Sequence, residues 1–116
     1  MEVKKSLFGE NHAEVATLLR NIGINYNNLG NGAKGIEFNE QALAIRKILY
    51  GENQDDIANS LWSIGDAYKI LKDYKKAIEY YEKSVSIKKS LFGGNHADVA
   101  ILLRSIGINY NNLGDG

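Results

Sequence analysis

The chain repeats itself. Ser6-Leu7-Phe8-Gly9-Glu10-Asn11-His12 recurs as Ser90-Leu91-Phe92-Gly93-Gly94-Asn95-His96, an offset of 84 residues. Ile48-Leu49-Tyr50-Gly51-Glu52-Asn53-Gln54 lies halfway, so the period is 42. Over Ser6–Gly32 and Ser90–Gly116 only five of 27 positions differ: Glu10/Gly94, Glu14/Asp98, Thr17/Ile101, Asn21/Ser105 and Asn31/Asp115. A period of this size marks one supersecondary unit copied along the chain, and such a unit buries its apolar face only by lying against its neighbours.

Each period predicts two helices. Between Asn11 and Leu29 the apolar or small residues are Val15, Ala16, Leu19, Ile22, Gly23, Tyr26 and Leu29. That spacing follows a helical rather than a strand period. An Asn followed three residues later by an acid opens each first helix: Asn11 with Glu14, Asn53 with Asp56, Asn95 with Asp98. The amide oxygen accepts from a free backbone N–H, and the carboxylate sits in the positive end of the helix dipole. Gly30 and Gly114 are the stop signals, since glycine takes the left-handed conformation of a C-cap. The second helices run over about residues 33–50 and 74–92 and stop at Gly51 and Gly93. In the latter the buried stripe is Tyr74, Ala77, Ile78, Tyr81, Ser84, Val85 and Leu91. Five helices joined by short connections fit between Asn11 and Gly114, which makes neighbours antiparallel. The expected fold class is all-α, an α-solenoid of antiparallel helix hairpins.

Composition agrees. Proline is absent while glycine numbers 12, which leans toward helices and away from a turn-rich β-domain. At 116 residues the chain is one small domain. Fourteen basic and 14 acidic residues cancel, which argues against a dedicated nucleic-acid binder. Without cysteine there is no disulfide, thiolate metal site or cysteine nucleophile. No apolar run approaches the ~18 residues of a membrane span, and Met1-Glu2-Val3-Lys4-Lys5 leads into no signal-peptide core. A cytoplasmic setting is expected, with neither a membrane nor a nucleic acid as partner.

Leu61-Trp62-Ser63-Ile64-Gly65-Asp66-Ala67-Tyr68, Asp73-Tyr74 and Ala77-Ile78-Glu79-Tyr80-Tyr81 together resemble the tetratricopeptide repeat. The 42-residue period, and the junctions Leu7–Ala16 and Leu91–Ala100, are similar to its longer kinesin light chain variety. The resemblance covers essentially the whole chain and implies a right-handed superhelix. It divides the chain into the end of a preceding second helix (1–9), one repeat (10–51), another (52–93) and the first helix of a third (94–116). The chain is therefore expected to be a piece of a longer array, or one whose ends pair with other copies. Departures are Ala13, Asp55 and Ala97 where the family has proline, Gly35 for a small alanine, and Gly32 for an aromatic. The two glycines are expected to loosen the first helix pair.

Other motifs carry less. Gly30-Asn31-Gly32-Ala33-Lys34-Gly35 matches a dinucleotide-binding pattern, but a helix precedes it where that site needs a strand, so a turn is expected. His12 and His96 stand at equivalent places in two copies, whereas catalytic groups must converge. Capping or packing is expected of them, and no metal site. The lysines Lys69, Lys72, Lys75, Lys76, Lys83, Lys88 and Lys89 interleave with Asp66, Asp73, Glu79 and Glu82, which reads as a solvated mixed-charge surface. No nucleophile, base and orienting group can be assembled, so a non-enzymatic protein without cofactor or metal is expected.

A second stripe on the first helices lies roughly 140° from the core stripe at ~100° per residue. It holds Thr17, Arg20, Ile24, Asn27 and Asn28; then Asn59, Trp62, Asp66, Lys69 and Ile70; then Ile101, Arg104, Ile108, Asn111 and Asn112. The resemblance implies that these line a concave groove holding a peptide or partner segment, with Arg20, Trp62 and Arg104 in a row. Two guanidiniums and an indole suit acidic and aromatic residues, and asparagines hold an extended backbone. The clamp for C-terminal carboxylates known in related repeats is not expected, because Ile24, Ser63 and Ile101 replace its polar residues. The alternative is self-assembly, by head-to-tail stacking or exchange of chain ends, through Ala100, Leu103, Ile106, Gly107 and Tyr110, which lack a following helix to cover them.

Overall fold

The computed structural model of the chain describes residues 12–50 and 54–114. These form five helices: α1 (His12–Asn28), α2 (Gly32–Tyr50), α3 (Asp55–Ile70), α4 (Tyr74–Phe92) and α5 (Ala97–Asn112). There is no strand among the described residues. Each helix packs on the one before and the one after it, and α1 also reaches α3. The result is an all-α stack of 55 × 32 × 17 Å, elongated because side-by-side hairpins grow in one direction. None of the described helices is long and apolar enough to cross a membrane.

The starts of α3 and α5 are one residue off the sequence reading. His96, not Asn95, is the N-cap of α5: its Nδ1 accepts from the Asp98 N–H at 3.1 Å. The α3 N-cap is Gln54, whose side chain makes no capping bond. Asn11, Asn53 and Gly51 lie outside the described residues. The acids expected in the first turns, Glu14, Asp56 and Asp98, are there, and Asp55 joins Asp56 in α3. The second helices have caps of their own, one period apart. Asn31 Oδ1 accepts from the Lys34 N–H at 3.1 Å and Asp73 Oδ1 from the Lys76 N–H at 3.2 Å. Gly30, Gly93 and Gly114 end their helices at φ of 85°, 88° and 84°. Lys72 occupies the Gly30 position of the middle copy at φ 67°, a conformation that costs a side-chain-bearing residue about 1–2 kcal/mol.

The core runs through α3, α4 and α5: Ile57, Ala58, Leu61, Ile64, Ala67, Ala77, Ile78, Tyr81, Val85, Val99, Leu102 and Ile106 are buried. Three residues placed in core stripes by their spacing are instead exposed: Ile22, Leu29 and Leu91. Ile22 is 38% exposed, and the other two lie at or just past helix ends.

The first helix pair is not loosened by its glycines. A Cβ on Gly35 would strike the Asn27 side chain, one on Gly23 the Asn39 side chain, and one on Gly32 the Ala67 carbonyl oxygen at 2.6 Å. The missing Cβ atoms let the backbones approach, and asparagines fill the gaps. The same notch recurs along the stack. Gly23 receives Asn39, and Gly65, one period on, receives the Tyr81 ring, which a Cβ there would meet at 2.7 Å. Gly107, a further period on, has nothing within 4 Å of its would-be Cβ. Aromatic stacks follow the same rhythm: Tyr26 on Phe38 at 5.6 Å and Tyr68 on Tyr80 at 5.5 Å, while Tyr110 stands 45% exposed.

Candidate functional site

The second stripes lie on α1, α3 and α5. Between them lies a depression of about 430 Å³ lined by Arg20 and Ile24 of α1, by Asn59, Trp62, Ser63 and Asp66 of α3, and by Asp98 of α5. It brings together Arg20, Ile24, Asn59, Trp62 and Asp66 of the stripe read from the sequence. Ser63 and Asp98 were not in that set. The other stripe residues do not line it. Thr17, Asn28, Lys69, Ile101, Arg104, Ile108 and Asn111 are exposed, and Asn27 is half-buried. The Asn27 Nδ2 donates to the Ser63 carbonyl at 3.1 Å and ties α1 to α3. Arg104 is not part of the depression, so the depression itself holds only Arg20 and Trp62 of the expected row.

Arg20 is the unsatisfied group of this site. Its Nε is buried without a hydrogen-bond partner. Burial, with Arg46 nearby, pulls its pKa below the ordinary arginine value, and Asp56, Asp55 and Asp66 act weakly the other way. Asp66 accepts from the Tyr81 phenol at 2.5 Å. Burial raises the Asp66 carboxyl above its ordinary value, opposed by that bond and by Lys69 and Arg20. The same burial and the Asp66 carboxylate push the Tyr81 phenol up. Trp62 is half-buried: one part packs on the α4–α5 core, and the rest faces the depression.

Two buried cations tie these helices together: Arg46, which the sequence reading did not single out, and Lys88, which it placed in a solvated surface. Arg46 is buried, and its Nη1 donates to the Asp56 carbonyl at 3.1 Å and to Ser60 Oγ at 3.0 Å, while Nη2 donates to Thr17 Oγ1 at 3.4 Å. Lys88, one period later, is 1% exposed rather than part of a solvated surface. Its Nζ lies 2.6 Å from Asp55 Oδ1 and 2.8 Å from Asp98 Oδ2, and 5.7 Å from the centre of the Trp62 ring. Each cation bridges its second helix to the two first helices beside it. The Lys88 hydrogen bond holds the Asp98 carboxyl below its ordinary value. A periodic signal was available, because Lys4, Arg46 and Lys88 are spaced by 42, though Lys4 lies outside the described residues. The remaining lysines of the run are exposed, as expected.

Of the end-face set, Ala100, Leu103, Gly107 and Tyr110 are exposed, but Ile106 is not. At ~100° per residue it turns toward α4, where it packs with Ala77, Ile78, Tyr81, Val85 and Leu102. No group of three or more potential metal ligands occurs among the described residues. On the opposite side of the stack a second cleft of about 440 Å³ lies between α2, α3 and α4, with Leu43, Ile57, Leu61 and Ile87 as its apolar wall and Lys47 and Lys83 at its edge.

The model of the tetratricopeptide repeat family matches residues 14–90 and, in a second register, 56–115. No curated protein matches the chain.

Proposed function

The chain belongs to the tetratricopeptide repeat family, whose members are in general non-catalytic protein-interaction scaffolds, and we propose that the face of α1, α3 and α5 is a concave groove that grips a peptide or partner segment. The observation that supports this reading is Arg20: a guanidinium with a buried, unpartnered Nε at the wall of a depression floored by an indole. Such a site favours a segment with an acidic residue beside an aromatic one. The 42-residue period supports a kinesin light chain-like subtype, and a cytoplasmic setting belongs to the same reading.

Trp62 is the only tryptophan, so its fluorescence reports directly on the site. Titration with acidic, aromatic-containing peptides is expected to shift its emission. The Arg20→Glu/Arg104→Glu double variant is expected to lose that response with unchanged helicity by circular dichroism. Full binding by the double variant refutes the groove.

A second reading, association of chain ends, is favoured by one observation. Ala100, Leu103, Gly107 and Tyr110 form a continuous face of α5 that no described residue covers.

A further inference from the structure

The first and last of the described helices have nearly the same sequence and bury opposite faces of it. In α1, Ala16 and Gly23 are buried on the α2 side, while Leu18, Ile22 and Asn25 are exposed. In α5, one double period later, Leu102, Ile106 and Asn109 are buried against α4, while Ala100 and Gly107 are exposed. Each end therefore shows the surface that the other end hides. The contacts by which α1 recognises α2 are known in detail: the Gly23 notch holds Asn39, Tyr26 stacks on Phe38, and Asn27 fits the missing Cβ of Gly35 while donating to the Ser63 carbonyl. The exposed face of α5 repeats them as Gly107, Tyr110 and Asn111.

We propose that α5 of one chain takes the place of α1 on α2 of a second copy, so that the solenoid continues from one copy into the next in unbroken register. This rests on the end-association reading above and names its partner surface. In the junction Asn39 of the second copy enters the Gly107 notch, its Phe38 stacks on Tyr110, and its Ser63 carbonyl accepts from Asn111. Meanwhile α5 keeps its own cap and the Asp98–Lys88 pair.

The free-energy logic is one of helix number. Among the described residues, two separate chains hold two helices docked on one face each at a junction-to-be, α1 and α5. After exchange one helix is docked on both faces and the displaced one is released. The count of docked faces is unchanged, but one helix fewer is ordered. These helices are rich in Asn, Ile and Gly, which are poor helix formers, and helices of this length are marginal when undocked. Releasing one returns its conformational entropy. Against this, α1 is tethered to α2 by a three-residue turn, 29–31, which gives it an effective concentration of order mM. Exchange therefore appears at high protein concentration. Because the contact is heterologous, it adds chains in a row.

Equivalent substitutions at equivalent glycines have opposite effects under this proposal. Sedimentation velocity across a concentration series of the 116-residue chain is expected to show growing mass. Gly107→Ala meets nothing within 4 Å in the single chain but collides with Asn39 of the second copy, so it weakens association about tenfold or more with no loss of thermal stability. Gly23→Ala wedges α1 off α2 and is expected to lower the concentration at which chains associate. The Gly23→Ala/Gly107→Ala double variant separates exchange from aggregation: it returns toward monomer only if the α5 notch is the docking surface.

Association of the double variant as strong as that of Gly23→Ala overturns the proposal. So does association of Gly107→Ala as strong as that of the unaltered chain. Association that is lost in Gly107→Ala but not promoted by Gly23→Ala overturns exchange while leaving end association standing. A monomer at every concentration, in the unaltered chain and in Gly23→Ala alike, overturns both.

Discussion

Lys88 shows how a charge becomes structural. Its side chain is 1% exposed and lies between two carboxylates whose side chains remain 40% and 32% exposed. Removing it strands those acids beside a cavity, so Lys88→Ala is expected to cost about 2–3 kcal/mol in urea unfolding. Lys88→Met, which keeps the volume, is expected to cost less than half of that. The two acids of the depression respond oppositely to pH. Asp98 is held below its ordinary value, so its stabilising effect is present above about pH 4 and fades as the pH falls through the lowered value. Asp98→Asn should melt lower than the unaltered chain near neutral pH, with the gap closing below about pH 4. Asp66 is raised, so its charged form opposes folding at neutral pH and protonation relieves that cost. In Asp66→Asn the amide oxygen still accepts from Tyr81. Its melting temperature is expected to equal or exceed that of the unaltered chain near pH 7, and the difference should disappear as the pH approaches 4 from above. Lys72 is the third residue with a consequence. Lys72→Gly relieves its left-handed backbone, and a gain of about 1 kcal/mol in urea unfolding is expected.

At the scale of the element, one glycine position has three environments. Gly65→Ala must push the Tyr81 ring out of the core and is expected to cost about 2 kcal/mol. Gly107→Ala fills open space in a helix interior and is expected to add about 0.5–1 kcal/mol to the stability of a single chain. Thermal melts of the two variants at low concentration check both signs. The period and the helical spacing were enough to place five helices and the stops at Gly30, Gly93 and Gly114, because both are set by local geometry. The caps of α3 and α5 were misplaced by one residue, since Asn95 and His96 compete for a role that only the backbone turn decides. The burial of Lys88 was hidden by reading its charge along one helix, when its partners come from the helices on either side. Gly32 and Gly35 looked like weak points because the asparagine that fills the space beside Gly35 belongs to a different helix. Of the second stripe, Arg20, Ile24, Asn59, Trp62 and Asp66 share the depression. Ser63 and Asp98 escaped the spacing because they enter from the edge of one stripe and from the first turn of another helix.

For the molecule as a whole, the described core is thickest where α3 and α4 meet and thins toward both ends. Among the buried residues of α1 are only Ala16 and Gly23, against eight in α3. Repeat stacks open from their edges. Amide hydrogen exchange is therefore expected to be slowest in α3 and α4 and faster in α1 and in the last turns of α5. Uniform protection across all five helices would contradict this.

A body in which each helix leans chiefly on its immediate neighbours has no central knot to fail all at once. Pulled from its two extremities, it should lengthen in small successive rips and recoil in the same steps, a soft spring rather than a brittle bead.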